Sequence, residues 1–112
     1  VSKLAKLMAE MEGYFVEGSI AQRHNNPGDI EHAPGEWHSG SSPIGSFYTP
    51  KKGWAALQNQ LEDYANRGLN LSQMVDIYAP PSQNDTTDYL DFICEGLGVS
   101  PNTLVKDALL IT

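Results

Sequence analysis

The chain has 112 residues, enough for one domain (1–112) whose hydrophobic core needs neither disulfide nor metal. Acidic residues outnumber basic ones 14 to 7 and the net charge is −7, which speaks against a nucleic-acid partner and against docking on an anionic membrane. No apolar run is long enough for membrane insertion, and no signal-peptide pattern precedes the first helical pattern, so the chain reads as mature or as cut from something longer.

A first helix is expected over 2–12, where Leu4, Leu7, Met8 and Met11 recur on one face, Ser2 serves as N-cap and Gly13 as stop. From 14 to 49 the helical period disappears and Gly, Pro, Ser, Asn and His dominate. Asp29-Ile30-Glu31 and Gly45-Ser46-Phe47-Tyr48 are short strand candidates, with Ala33-Pro34-Gly35-Glu36 as the turn between them. An irregular stretch of this length inside a small domain usually carries function. Thr49-Pro50 then opens the clearest helix, with an apolar stripe of Trp54, Leu57, Leu61 and Tyr64 and a stop at Gly68. Asn70-Leu71-Ser72-Gln73 forms a capping box for a third helix that reaches Tyr78 and ends before Pro80-Pro81. Asp85 caps a fourth, with Tyr89, Phe92 and Ile93 inward and Gly98 as stop, and Ser100-Pro101 opens a last short helix running to Leu109. The fold class is mainly α: about five helices with a small β-hairpin or loop insert after the first.

Glu12 stands out on physical grounds. It sits in the last turn of the first helix, where the macrodipole is repulsive to a carboxylate and where Met8 and Met11 would strip its water. Both effects raise its pKa towards the range a general acid needs. A solvated surface glutamate is the alternative, since Glu10 has nearly the same setting. The segment Arg23-His24-Asn25-Asn26-Pro27-Gly28-Asp29-Ile30 is turn chemistry that could also offer amides to sugar hydroxyls or acetamido groups. His24, His32 and His38 lack the spacing of a metal site, so neither metal nor other cofactor is expected. Cys94 reads as a buried, inert thiol. Trp37, Phe47 and Tyr48 suit either sugar stacking or the core, with Phe47 the better core residue.

Taken together, Glu12-Gly13-Tyr14-Phe15 and Arg23-His24-Asn25-Asn26-Pro27-Gly28-Asp29-Ile30 resemble the "EG(F/Y)…RNNNPGN(I/L)" signature of phage and bacterial lysozyme-like proteins related to lytic transglycosylases. Gly45-Ser46-Phe47 with Gly53-Trp54-Ala55-Ala56-Leu57 is similar to the "G-x-F…G-W-x-A-L" that follows in those proteins. Tyr78-Ala79-Pro80-Pro81, Asn84-Asp85-Thr86 with Tyr89, and Leu97-Gly98-Val99 resemble their later motifs, in the same order.

The resemblance implies a lysozyme-like fold that cleaves peptidoglycan between MurNAc and GlcNAc, with Glu12 as catalytic acid/base and Tyr89, or less well Tyr78, as the tyrosine that contacts it. It further implies glycan contacts from Arg23, Asn25, Asn26, Tyr78 and Asn84, with Asn26 near the rim of a groove across which Glu12 and Tyr89 approach each other. Tyr89 as a plain core aromatic is the alternative. The family usually has Asn and then Arg where this chain has Asp29 and Glu31, and a common Asn is replaced by His24. Asp29, Glu31 and Glu36 are thereby candidate second carboxylates. A lytic transglycosylase needs only one carboxyl group. A hydrolytic muramidase with a second carboxylate, and a non-enzymatic glycan-binding or virion structural module, are the rival readings. In each the partner is the peptidoglycan strand and the chain is a monomer. An activity on the cell wall implies a periplasmic, extracellular or phage-delivered location.

Overall fold

The computed structural model describes residues 1–31, 34–37, 44–81 and 85–112. Among these residues the architecture is mainly helical, with six helices and no strand longer than an isolated bridge. His32, Ala33, His38 and Asn84, singled out from the sequence, lie outside the described residues.

Helix α1 (Lys3–Met11) starts where Ser2 Oγ accepts the Ala5 N–H. Its buried residues are Leu4, Ala5, Met8 and Ala9, which rotates the inner face away from the expected stripe. Met11 is 36% exposed, so its predicted place in the core is wrong. At 100° per residue, the centre of a face made by positions 4, 5, 8 and 9 falls on position 12, not on 11. The small Ala5 and Ala9 are fully buried, so the inner face is made by small residues as well as large ones.

The next helix, α2 (Ile20–Arg23), is a single turn capped by Ser19 that the loss of apolar period had concealed. Helix α3 (Pro50–Asn66) has Thr49 as N-cap and Pro50 at its start, as expected, and buries Leu57, Leu61 and Tyr64. Its Gly53 lies against the Asn25 carbonyl, where a Cβ would collide, so the helix seats directly on the Asn25–Pro27 turn.

Helix α4 (Leu71–Tyr78) carries the predicted reciprocal capping box between Asn70 and Gln73. Helix α5 (Thr86–Leu97) is capped by Asp85 and stopped by Gly98 at φ +72. It buries Tyr89, Ile93, Cys94 and Leu97, while Phe92 is only half-buried rather than a core residue.

The last helix, α6 (Val105–Ala108), is shorter than expected and does not open at Ser100-Pro101. The Pro101 and Thr103 carbonyls instead accept the Ser72 and Leu71 N–H groups. These are orphan donors of the first turn of α4, and the 101–103 segment is held open to satisfy them.

One apolar cluster runs through the molecule, with α1 packed on α3 and α5, α4 on α5, and α6 on α3. The insert between α2 and α3 is not a hairpin of regular strands among the described residues. Gly45 N–H does reach the Ile30 carbonyl, and among the described residues of this segment Trp37 forms a bridge with Ser46. The Asn26 side chain replaces the missing ladder: its amide donates to the Ile30 and Gly45 carbonyls and accepts the Ile30 N–H.

Candidate active site

The C-terminus of α1 closes with the Gly13 N–H on the Glu10 carbonyl and the Tyr14 N–H on the Ala9 carbonyl. This is a Schellman closure, and Gly13 permits it at φ +79. Glu12 is therefore the C-cap, fixed in line with Leu4 and Met8 at one- and two-turn intervals. The helix that buries those residues carries the Glu12 side chain inward with them. Tyr14 then packs edge-on against Trp54 of α3, ring centroids 5.3 Å apart, which anchors the chain just beyond the cap.

The Glu12 carboxyl lies in the wall of an open cavity of about 430 Å³ between the loop 28–31, α3 and α4. Tyr89 Oη, from α5, donates to Glu12 Oε2 at 2.8 Å. Asp29 also hydrogen-bonds to the Glu12 side chain. The Glu12 pKa is pushed up to about 7, first by burial. The Tyr89 hydrogen bond opposes the shift, and the Asp29 charge and hydrogen bond add to it. Burial also raises Asp29, while the hydrogen bond from Glu12 and the nearby His24 pull it back. The contact between the two acids raises Glu12 and lowers Asp29, so of the pair Glu12 is the one that holds a proton more tightly. Tyr89 is pushed well above its ordinary range by burial and then by the Glu12 charge, so it stays a donor.

The upward shift of Glu12 is the direction its helix-end position predicts, and burial is its largest cause as expected, but the surroundings differ in part. Met11 has turned away, and the second charge that helps hold the proton belongs to Asp29.

The remaining site candidates separate in space. Tyr78 lines the cavity and donates to the Gly28 carbonyl. A Cβ on Gly28 would strike that hydroxyl and come 3.0 Å from Leu57, so the glycine of the Asn-Asn-Pro-Gly turn is what lets Tyr78 seat there. Glu31 is exposed at the cavity edge. Glu36 lies outside the cavity, with its carboxylate against Gly45. Asn26, expected at the rim, is 0% exposed and its amide is taken up by three backbone groups, so it braces the loop and cannot meet a ligand. Asn25 donates to the Phe47 carbonyl, and Arg23 is exposed and donates to the Gly18 carbonyl; neither lines the cavity.

Two cavity residues with polar side-chain groups escaped the sequence reading as site residues. Gln60 and Tyr64 of α3 line it one helical turn apart. Tyr64 is buried, as its place in the core stripe predicts, and its ring also begins a row of three tyrosines, with Tyr64 to Tyr78 and Tyr78 to Tyr89 each 6.5 Å between centroids, that ends at Glu12. A polar Gln four positions before a Tyr on the flank of an apolar stripe was the available signal. Trp37 and Tyr48 are surface residues, 41% and 73% exposed, with rings 5.9 Å apart. Phe47 is buried, and so is Cys94. His24 Nδ1 lies 3.2 Å from the Ile44 carbonyl, and among the described residues no three His, Cys, Asp or Glu side chains cluster as a metal site would require.

Chemically, the arrangement is a protonated carboxyl group in a cavity wall, steadied by a tyrosine donor, that can give a proton to a bound molecule and take one back. No protein-family model matches the chain, and no curated protein or solved structure matches it.

Proposed function

We propose that the chain is a lysozyme-like domain that cleaves peptidoglycan glycan strands between MurNAc and GlcNAc as a lytic transglycosylase, with Glu12 as acid and then base. The observation that carries this reading is the Glu12 carboxyl: it lies in the cavity wall, is hydrogen-bonded by Tyr89, and keeps its proton up to about pH 7. The ordered motifs from Glu12 to Val99 supply the substrate class.

In the first half of the reaction Glu12 gives its proton to the glycosidic oxygen, and the bond from that oxygen to the MurNAc anomeric carbon breaks. In the second half the Glu12 carboxylate takes the proton of the MurNAc C6 hydroxyl as its oxygen bonds to the anomeric carbon. The acid is regenerated and no water is consumed. Tyr89 holds the carboxylate in place through both halves, because its own proton is too tightly held to transfer.

The disposition of the other carboxylates favours this reading over hydrolysis. An inverting hydrolase separates its two carboxyl groups by roughly 6.5–9.5 Å so that a water fits between them. Asp29 instead hydrogen-bonds to Glu12, and Glu36 is outside the cavity, which leaves Glu31 at the edge as the carboxylate open to a hydrolytic role.

Zymography on purified peptidoglycan tests the proposal. The wild-type chain and Glu10→Gln should clear the gel, and Glu12→Gln should not. Clearing by Glu12→Gln at the wild-type rate would remove Glu12 as acid/base. Binding without clearing by the wild type, on peptidoglycans of differing chemistry, would favour a glycan-binding or virion structural module.

A further inference from the structure

We infer that Asp29 is the positioning residue for the Glu12 proton, so that the site works as a carboxylic acid–carboxylate pair across the 28–31 side of the cavity. This rests on the transglycosylase reading for its catalytic meaning, but the pairing itself is a property of the folded chain.

Asp29 is poorly placed for any purely architectural task. It holds a left-handed backbone, φ +50, at the end of the Asn-Asn-Pro-Gly turn. Its Oδ1 is buried and takes no hydrogen bond from any described residue. Its side chain shares the cavity wall with Glu12 and acts on that second acid, with His24 nearby. Each of these features costs stability, and such costs gather where a site needs them. Burial of the two side chains concentrates the effect, because two carboxyl groups that share one proton interact most strongly where water is scarce. The groups facing the pair come from three other places. Tyr89 of α5 donates to Glu12; Tyr78 of α4 spends its hydroxyl on the Gly28 carbonyl; His24 lies on the Asp29 side. None of these accepts the Glu12 proton, and Asp29 does.

Two consequences follow for the reaction. Before bond cleavage, the ionised Asp29 orients the Glu12 hydroxyl and keeps it protonated at neutral pH. After Glu12 gives up its proton, the same negative charge disfavours the new Glu12 carboxylate and makes it a stronger base towards the incoming sugar hydroxyl. Asp29 itself neither gains nor loses a proton, and it touches the reaction through Glu12 alone.

The test replaces the charge and keeps the shape. Asp29→Asn suits the left-handed backbone, removes the acceptor charge and can donate to Glu12 in its place. The Glu12 carboxyl carbon is titrated by NMR in wild type and variant, and the pH profile of kcat/KM on peptidoglycan is measured for both. Asp29→Asn should lower the Glu12 midpoint by roughly one unit or more and move the alkaline limb of the profile by the same amount. Asp29→Gly, which also accepts this backbone, should lower the midpoint in the same direction without offering a new donor, and it replaces the Asn variant if that one fails to fold. An unchanged Glu12 midpoint in the folded variants would overturn the pairing. Because the NMR titration needs no activity, a chain that titrates as described but cleaves nothing would refute the transglycosylase reading and leave the pairing standing.

Discussion

Replacing Glu12 by Gln should make the fold more stable, and only above a definite pH. In the folded chain the Glu12 pKa stands near 7 against 4.5 for the free group. The folded state therefore binds the proton more tightly than the unfolded state does. Stability must fall as pH rises from the lower value through the upper, because the chain has to bury a charge it would otherwise hydrate. The shift of about 2.5 units corresponds to a loss on the order of 3 kcal/mol, fully developed above pH 7 and absent below pH 4.5. Gln occupies the same volume, still accepts the Tyr89 hydroxyl and has no charge to bury. Thermal melts of wild type and Glu12→Gln should thus nearly coincide at acidic pH. They should separate by roughly 10 °C at pH 8 in favour of the variant, for a domain of this size. A gap that stays constant across the range would show that Glu12 is not held neutral by its surroundings, and the mechanism would lose its acid.

Tyr89→Phe removes the donor that steadies the Glu12 carboxylate. The alkaline limb of activity should move to higher pH, and the rate at its optimum should fall by roughly ten- to a hundred-fold, the worth of one hydrogen bond to a charged group; an unchanged profile would reduce Tyr89 to a core aromatic. Asn26→Ala strands two carbonyls and one N–H that its amide now serves. It should cost about 2–4 kcal/mol in denaturant unfolding, whereas a role in ligand binding alone would leave the unfolding midpoint where it is.

Local chemistry made much of the helical frame readable. Ser2, Thr49-Pro50, the Asn70/Gln73 box, Asp85 and Gly98 act within a few residues of themselves, and all do in the structure what their types dictate. The failures arose where a distant partner decided the outcome. Residues 101–103 stay open because α4 needs acceptors for its first turn, a demand invisible in Ser100-Pro101 itself. Met11 falls outside the core because Ala5 and Ala9 lie on the buried face, and a count of large apolar residues ignores small ones. At the site, Glu12 was visible as an acid out of keeping with its helix end. That Tyr89 meets it depends on the packing of α1 against α5, which the chain order of the motifs suggested but periodicity alone did not. Asn26 looked like a ligand for sugar because a free amide and a bracing amide are spelled alike. Only the three backbone groups around it show which kind it is.

The most direct test is mass spectrometry of the fragments released from purified peptidoglycan. Attack by the MurNAc C6 hydroxyl, with Glu12 as both acid and base, predicts muropeptides that end in a 1,6-anhydro ring, lighter by one water than the hydrolysis product, from the wild-type chain and none from Glu12→Gln. Fragments with a reducing MurNAc end would show that water is the nucleophile and that a second carboxylate, with Glu31 first among the candidates, activates it.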